Sequence, residues 1–298
     1  MPINRSVYLG SKDQELYAIK VYFPGPSKEA SFQREVEFLS ALNFKHLINI
    51  VSHKIDAKVC LLGKPETTRP IIVLEFAEGG ELFEYIAKEG RLKPEICRSL
   101  FKMLIEAIDY MNSKGVSHRD LKPENILFDK NFYLKVSDFG LSTEAEGHDG
   151  DGILYTRLGT EGYKPPEMEA GKYMGIQADL FAAGVILFVM YTGTPPFIST
   201  KNTDKIYKLI RDKNFTKFWT LHEKKKPMGF YPDSLKRLLS SFFSAEVDRR
   251  PTIDSLKEDE WLNEDQALQD DIYQDLRAKY LKMIEGDENK QKIEKAKV

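Results

Sequence analysis

The sequence predicts an α+β protein with two lobes, a small β-rich lobe followed by a larger helical lobe. Short β-rich stretches surround one helical pattern in the first 75 residues, and helical periodicity dominates from Leu82 onward. A glycine-marked break, AEGGE, lies between the two regions. We therefore place the junction near Glu75–Glu81 and predict lobes at residues 1–75 and 76–262, followed by a charged helical tail at 263–298.

The first lobe is predicted to contain strands and one helix. SVYLG and LYAIKVYF are β-rich and are separated by the turn-like SKDQE, which is typical of a hairpin. SFQREVEFLSALN then has apolar residues at three- and four-residue spacing, which predicts a helix. VCLLGK and RPIIVLEF predict two more strands across the polar loop PETTR.

The second lobe is predicted to be mostly helical. ELFEYIAKE and PEICRSLFKMLIEAIDYMNSKG have helical periodicity, and Pro94 suits a first helical turn. NILF and YLKVSDF are short β-like pieces, and more helices are expected from Ile176 to about Trp261. The longest apolar run, Leu180 to Tyr191, is shorter than the roughly 20 residues of a membrane span, so it predicts a buried helix.

The tail carries apolar residues near one helical face: Ala267, Ile272, Leu276, Tyr280 and Ile284. This spacing predicts a helix that packs on the domain. A regulatory or partner-binding tail is the alternative.

Composition is ordinary for a globular protein, with 298 residues, 42% apolar, 30% charged and a net charge of −2. This charge gives no reason to expect nucleic-acid or membrane binding. Cys60 and Cys97 lack metal-type spacing and are expected to be unpaired thiols in a reducing compartment. The opening residues lack the apolar core of a secretory signal. We expect a cytoplasmic monomer, with the nucleus as the alternative location.

The strongest chemical signal is SHRDLKPEN, residues 117–125, between a predicted helix and a predicted strand. Phosphoryl transfer needs a group that orients the attacking hydroxyl, a cation near the phosphate and a metal ligand. Asp120, Lys122 and Asn125 can fill these roles in that order. Asp138, in DFG thirteen residues after Asn125, adds the carboxylate oxygen that Mg²⁺ favours.

HRDLKPEN, DFG and GTEGYKPPE occur in an order that is highly specific. On these motifs the chain resembles eukaryotic serine/threonine protein kinase domains over about Val7 to Leu262. GGELF and WLNED are most similar to the calcium/calmodulin-dependent kinase group. The resemblance implies a bilobal protein-kinase-like fold, ATP and Mg²⁺ as cofactors, and proteins with Ser or Thr as substrates.

The resemblance also implies roles for single residues around the nucleotide. Lys20, at the end of YAIK, resembles the lysine that holds the α- and β-phosphates, and Glu35 resembles its ion-pair partner. The other implied nucleotide contacts are Ala18 and Leu127 around the adenine with Val7 above it, Leu74 at the back of the pocket, Glu75 to Ala77 in the connecting segment, and Glu81 at the ribose.

Other matches imply structural roles. His118 and Phe139 resemble members of a hydrophobic column that includes Leu39. Asp179 resembles the buried carboxylate that fixes the catalytic-loop backbone, and Glu167 resembles the acid that pairs with Arg250.

Substrate class and regulation follow from further matches. Lys122 and Thr160 resemble serine/threonine rather than tyrosine kinases. Glu81 and Glu124 match positions that, in basophilic relatives, meet an arginine three residues before the target. We therefore expect a moderate preference for basic substrates, the alternative being that both acids are solvated or bound to ribose. Thr156 is the expected phosphosite of an upstream activating kinase, because arginines such as Arg119 hold an activation-loop phosphate.

The chain departs from the family at the glycine-rich loop. Aligned on Val7, the family's second and third glycines fall at Pro2 and Arg5 and its first falls before Met1, so none is present. Those glycines let backbone N–H groups approach the phosphates. Three explanations stay open: an N-terminally truncated fragment, a kinase with weak nucleotide cover, or a pseudokinase scaffold. The first strand is expected to be missing or cut short.

Overall fold

A computed structural model describes residues 6–23, 25, 28–61, 63, 65–147 and 149–295, without the side chains of 28 and 287–295. Within these residues, nine strands and ten α-helices form a small lobe built on an antiparallel sheet and a larger helical lobe. The predicted α+β bilobal class is confirmed.

The small lobe is a four-stranded antiparallel sheet in the order β1-β2-β4-β3, with helix α1 beside it. Its elements are β1 (Val7–Lys12), β2 (Glu15–Val21), α1 (Lys28–Ala41), β3 (Ile50–Val59) and β4 (Thr67–Glu75). The predicted hairpin is β1–β2. Its two turn residues, Asp13 and Gln14, both have positive φ, as a two-residue turn that matches the strand twist requires.

Strand β3 is not where the sequence placed it. The apolar stretch VCLLGK was expected to be a strand, but β3 ends at Val59. This strand lies at the edge of the sheet, its exposed side chains include Val51 and Ile55, and its pairing with β4 shifts register twice. A strand with so little burial has no apolar run that would mark it in the sequence.

Two small sheets carry the motifs of the large lobe. Strands β5 (Gly80–Glu81), β7 (Ile126–Phe128) and β8 (Leu134–Val136) form one, and β6 (Val116–Ser117) pairs with β9 (Thr143–Glu144) in the other. A short 3₁₀ turn at Pro123–Asn125 ends the catalytic loop, which is SHRDLKPEN at residues 117–125, and another at Phe139–Leu141 follows Asp138.

The large lobe contains the remaining helices of the described residues. They are α2 (Leu82–Glu89), α3 (Pro94–Ser113), α4 (Pro166–Ala170), α5 (Gly175–Thr192), α6 (Lys205–Arg211), α7 (Phe215–Glu223), α8 (Asp233–Phe242), α9 (Ile253–Lys257) and α10 (Gln269–Lys295). By length and composition alone α5 could cross a membrane, but 89% of it is buried inside the protein. A core helix has this character, and the predicted buried helix is confirmed.

Helix α10 forms the tail and packs on the large lobe. Ile272 and Leu276 are buried in the same hydrophobic cluster as the rest of the core, and Asp275 pairs with Lys93 at 2.9 Å. The predicted helix that packs on the domain is confirmed. Ala267 lies before its first residue, and Ile284 is exposed, so the buried face is shorter than expected.

Candidate active site

The backbone of the catalytic loop is held in place by a buried carboxylate on α5. Asp179 accepts hydrogen bonds from the backbone N–H groups of His118 and Arg119, both at 2.8 Å. Arg119 has a φ of 66°, a left-handed conformation that residues other than glycine seldom adopt without such support. The structural role predicted for Asp179 is confirmed.

Asp120, Lys122 and Thr160 form a closed triangle of hydrogen bonds. Asp120 Oδ2 accepts from Lys122 Nζ at 2.7 Å, and Asp120 Oδ1 accepts from Thr160 Oγ1 at 2.6 Å. Lys122 Nζ also donates to Thr160 Oγ1 at 2.8 Å. The sequence predicted roles in phosphoryl transfer for Asp120 and Lys122 and connected Thr160 with the substrate class, and the structure brings the three side chains together. A base beside an ammonium group is the arrangement that hydroxyl attack on a phosphate needs.

Asn125 and Asp138 are the predicted metal ligands. Asn125 donates its Nδ2 to the backbone oxygen of Asp120 at 2.8 Å, which turns its Oδ1 the other way. Asp138 has a left-handed backbone, and its Oδ1 accepts from Lys20. Two oxygen ligands from the protein fit Mg²⁺, which takes most of its remaining ligands from water and phosphates. No group of three or more His, Cys, Asp or Glu side chains able to hold a metal ion occurs in the described part of the chain.

Lys20 joins two carboxylates. Its Nζ donates to Glu35 Oε1 at 2.7 Å, to Glu35 Oε2 at 2.8 Å and to Asp138 Oδ1 at 2.8 Å. Burial alone would lower the pKa of Lys20, but Glu35 and Asp138 together raise it. Burial would likewise raise the pKa of Asp138, but Lys20 outweighs this effect and the pKa is lowered. Both groups are therefore charged at neutral pH.

Tyr22 is a member of this cluster that the sequence reasoning missed. Its hydroxyl donates to Glu35 Oε2. Burial, with a further contribution from Glu35, raises the pKa of Tyr22, so the phenol stays a donor. Side chains two positions apart lie on the same face of a strand, and this spacing from Lys20 was the signal available in the sequence.

The sheet register pairs six of the predicted nucleotide residues. Val7 lies opposite Lys20, Ala18 lies opposite Leu74, and Glu81 lies opposite Leu127. The first two pairs belong to the small lobe and the third to the large lobe. The residues predicted to surround the nucleotide therefore come from strands of both lobes.

The connecting segment is anchored through the side chain of Glu75. Its Oε1 accepts from Asn49 N at 2.9 Å, from Asn49 Nδ2 at 3.2 Å and from Lys135 Nζ at 2.9 Å. Ala77, the other end of the predicted segment, is buried and accepts from Gly80 N–H at 3.2 Å. The sequence did not point to Asn49, whereas a lysine in the middle of a short apolar strand was a signal for Lys135.

A family model described as "Protein kinase domain" matches residues 5–262. The chain belongs to the protein kinase domain family. One relative is "CBL-interacting protein kinase 32" of Oryza sativa subsp. japonica, 44% identical over 195 residues, which are 65% of this chain and 42% of that protein. Another is "CBL-interacting serine/threonine-protein kinase 20" of Arabidopsis thaliana, 36% identical over 230 residues, which are 77% of this chain and 47% of that protein.

These comparisons confirm the resemblance to serine/threonine kinases of the calcium/calmodulin-dependent group. The chain spans less than half the length of these two relatives.

The hydrophobic column of the kinase domain is formed. Phe139 and His118 are both buried, with ring centroids 5.2 Å apart in an edge-to-face arrangement, and Leu39 of α1 is buried as well. Asp138 therefore stays on the side of Lys20, because the Phe139 side chain that follows it is held in the core.

Thr156 lies at Arg119, as the sequence predicted for an activation-loop phosphosite. Arg119 Nη1 donates to Thr156 Oγ1, and Arg119 Nε donates to Leu141 O at 2.8 Å. The hydroxyl of Tyr173 donates to Thr156 O at 2.9 Å. The kinase domain thus presents Thr156 directly to a buried guanidinium.

Glu81 and Glu124 lie close enough to influence each other. Partial burial raises the pKa of Glu81, and the nearby charges of Glu84 and Glu124 raise it further. Glu124 Oε2 is buried and has no hydrogen-bond partner in the described part of the chain. No salt bridge joins either acid to a Lys or Arg side chain among the described residues.

The positions predicted for the family's second and third loop glycines, Pro2 and Arg5, lie outside the described residues. The prediction of weak nucleotide cover stays a prediction.

Proposed function

We propose that this kinase domain transfers the γ-phosphate of ATP to serine and threonine hydroxyls of proteins. The observation that carries the proposal is that the two charged clusters, Asp120–Lys122–Thr160 and Lys20–Glu35–Asp138, are both assembled in one structure. A scaffold that only binds partners has no physical need of either cluster.

Each cluster has a distinct task in this proposal. Asp120 accepts the proton of the attacking hydroxyl. The oxygen of that hydroxyl bonds to the γ-phosphorus while the bond between the γ-phosphorus and the leaving ADP breaks. Lys122 balances charge on the transferred phosphate, and Lys20, held by Glu35, binds the phosphates that stay on ADP. Mg²⁺ at Asn125 and Asp138 would supply further positive charge to the phosphate oxygens.

The experiment is transfer from Mg²⁺–ATP to a basic serine peptide, compared with the Asp120→Asn variant. We expect the variant to lose at least about a hundredfold in kcat, the usual contribution of a general base. Equal rates for the parent protein and the variant, measured both with and without phosphate on Thr156, would overturn the proposal. They would leave a scaffold or a truncated fragment as the interpretation.

We further propose that the domain prefers substrates with an arginine before the target. The support is the acidic pair. Glu124 has a buried oxygen without a hydrogen-bond partner among the described residues, and Glu81 has a raised pKa, so a guanidinium would satisfy both. Glu124→Gln should reduce kcat/KM for an arginine peptide by about tenfold, about 1.4 kcal/mol. The same variant should leave kcat/KM for the peptide with alanine at that position nearly unchanged. An equal loss for both peptides would refute the preference.

Regulation by an upstream kinase is part of the same proposal. A phosphate on Thr156 would meet Arg119, which already contacts the hydroxyl oxygen.

A further inference from the structure

Tyr22 lies where β2 continues toward α1. Its backbone N–H donates to Pro70 O at 2.9 Å, so it remains attached to the sheet although β2 ends one residue earlier. Its ring packs edge-to-face on Phe32 of α1, with centroids 5.3 Å apart. The ring is buried, and its hydroxyl reaches Glu35, also on α1. Tyr22 therefore connects the sheet to α1 in two ways, through its ring and through its hydroxyl.

The hydroxyl of Tyr22 adds a hydrogen-bond donor to Glu35, a carboxylate that shares Lys20 with Asp138. Among the described residues, Lys20 is the cation paired with both Glu35 and Asp138, so one ammonium group serves two carboxylates. The side chain of Glu35 is 2% exposed, so water cannot readily supply the missing donor. Tyr22 gives Glu35 Oε2 a second donor besides Lys20. This bond does not depend on where Lys20 points, because it joins Tyr22 to Glu35 directly.

We propose that Tyr22 is a positioning residue whose hydroxyl holds Glu35, and through it Lys20, in the geometry that binds nucleotide phosphates. The proposal rests on the proposed kinase activity. Without the hydroxyl, α1 would more often leave the position in which Glu35 meets Lys20. A smaller binding-competent population weakens the apparent affinity for ATP, while saturating ATP restores that population.

The direct test is Tyr22→Phe, which keeps the ring on Phe32 and removes one oxygen. We expect KM for ATP to rise about tenfold, equivalent to about 1.4 kcal/mol, with kcat changed less than about threefold. Tyr17→Phe is the matched control. The Tyr17 hydroxyl donates to Glu15 Oε2 at 2.6 Å on the same strand, but at an exposed site. This control should leave both constants unchanged.

A double-mutant cycle shows whether Tyr22 acts through Glu35. Glu35→Gln should raise KM for ATP by itself, and adding Tyr22→Phe should then have little further effect, because the acceptor charge is already gone. Fully additive losses would contradict the proposal. A fall in kcat equal to the rise in KM, with a lower Tm, would indicate a merely structural role and would also overturn it.

A readout that needs no catalysis separates this inference from the proposed function. Amide hydrogen exchange of α1, residues 28–41, should be faster in Tyr22→Phe than in the parent protein, with exchange in α5 unchanged. If the parent protein transfers no phosphate, the proposed function fails while the exchange result still decides the role of Tyr22. Unchanged exchange in α1 would overturn that role even in an active kinase.

Discussion

Replacing Glu167 by glutamine removes the negative charge from the most deeply buried ion pair among the described residues of the large lobe. Arg250 donates through both terminal nitrogens to the two oxygens of Glu167, at 2.5 and 2.7 Å. The side chain of Arg250 is 0% exposed and that of Glu167 is 14% exposed. The pair predicted from the sequence is therefore confirmed, and it fixes α4 to the segment that precedes α9.

The magnitude follows from what remains around Arg250. Its guanidinium keeps the carbonyl oxygens of Ser244 at 3.0 Å and Gln177 at 3.2 Å, and the ring of Phe181 with its centroid at 4.9 Å. Breaking a buried pair and leaving one charge costs about 3–5 kcal/mol. Because water can reach part of Glu167, we expect the lower end, about 3 kcal/mol. At about 2–4 °C per kcal/mol for a domain of this size, Tm should fall by about 6–12 °C.

Urea unfolding followed by circular dichroism measures the loss directly, and thermal unfolding checks it. Glu260→Gln is the matched control. It breaks the pair with Arg237, in which the side chains are 63% and 71% exposed, and such pairs contribute less than about 1 kcal/mol. A loss for Glu167→Gln no larger than that of Glu260→Gln would refute the reasoning. Adding Arg250→Met should recover part of the stability, because the stranded charge is then removed.

Three further outcomes are expected. Phosphorylation of Thr156 should raise kcat/KM for a peptide, and Arg119→Ala should abolish most of that gain without preventing the phosphorylation. Equal activation of the parent protein and of Arg119→Ala would contradict a role for the contact between the phosphate and Arg119. Burial lowers the pKa of His222. As pH falls, the unfolded state therefore binds a proton at His222 more readily than the folded state does. The stability present above about pH 6.5 is lost as pH falls below that value. In urea titrations, His222→Phe should reduce the slope of unfolding free energy against pH by up to about 1.4 kcal/mol per pH unit. The contribution of His46, whose pKa burial also lowers, should remain. An unchanged slope would contradict this prediction. Leu276→Ala on α10 should cost about 2–5 kcal/mol of unfolding free energy, whereas a tail that did not pack would lose nothing.

The sequence revealed the parts of the site that chemistry ties to fixed spacing. Asp120, Lys122 and Asn125 lie within six residues of one another, and their hydrogen bonds to each other are local. Asp179 and Glu167 could be named only through the resemblance, because their partners are about 60 and 83 residues away. Such contacts depend on the fold, and periodicity alone does not locate them.

What the sequence did not reveal depends on neighbours that a one-dimensional pattern cannot show. The sequence marks Tyr22 only by its spacing from Lys20 and Lys135 only as a lysine in an apolar strand, and their partners are known only once α1 and the connecting segment bring carboxylates to them. Strand β3 was misplaced for a related reason, since an exposed edge strand needs no apolar run. In each case tertiary packing, not local propensity, determined the outcome.

The surroundings of Arg119 give a physical reason for the proposed control at Thr156. The hydrogen bonds of its guanidinium found in the described residues are to neutral oxygens, those of Leu141, Thr156 and Tyr173. The residue is buried, so its charge is poorly compensated by solvent. A phosphate on Thr156 would bring about −1.5 to −2 charges to this cation. The same backbone continues directly into Asp120, whose position Arg119 N–H and Asp179 help to fix. Charge compensation at Arg119 would therefore stabilise the catalytic loop itself, which connects the phosphosite to the base without any larger rearrangement.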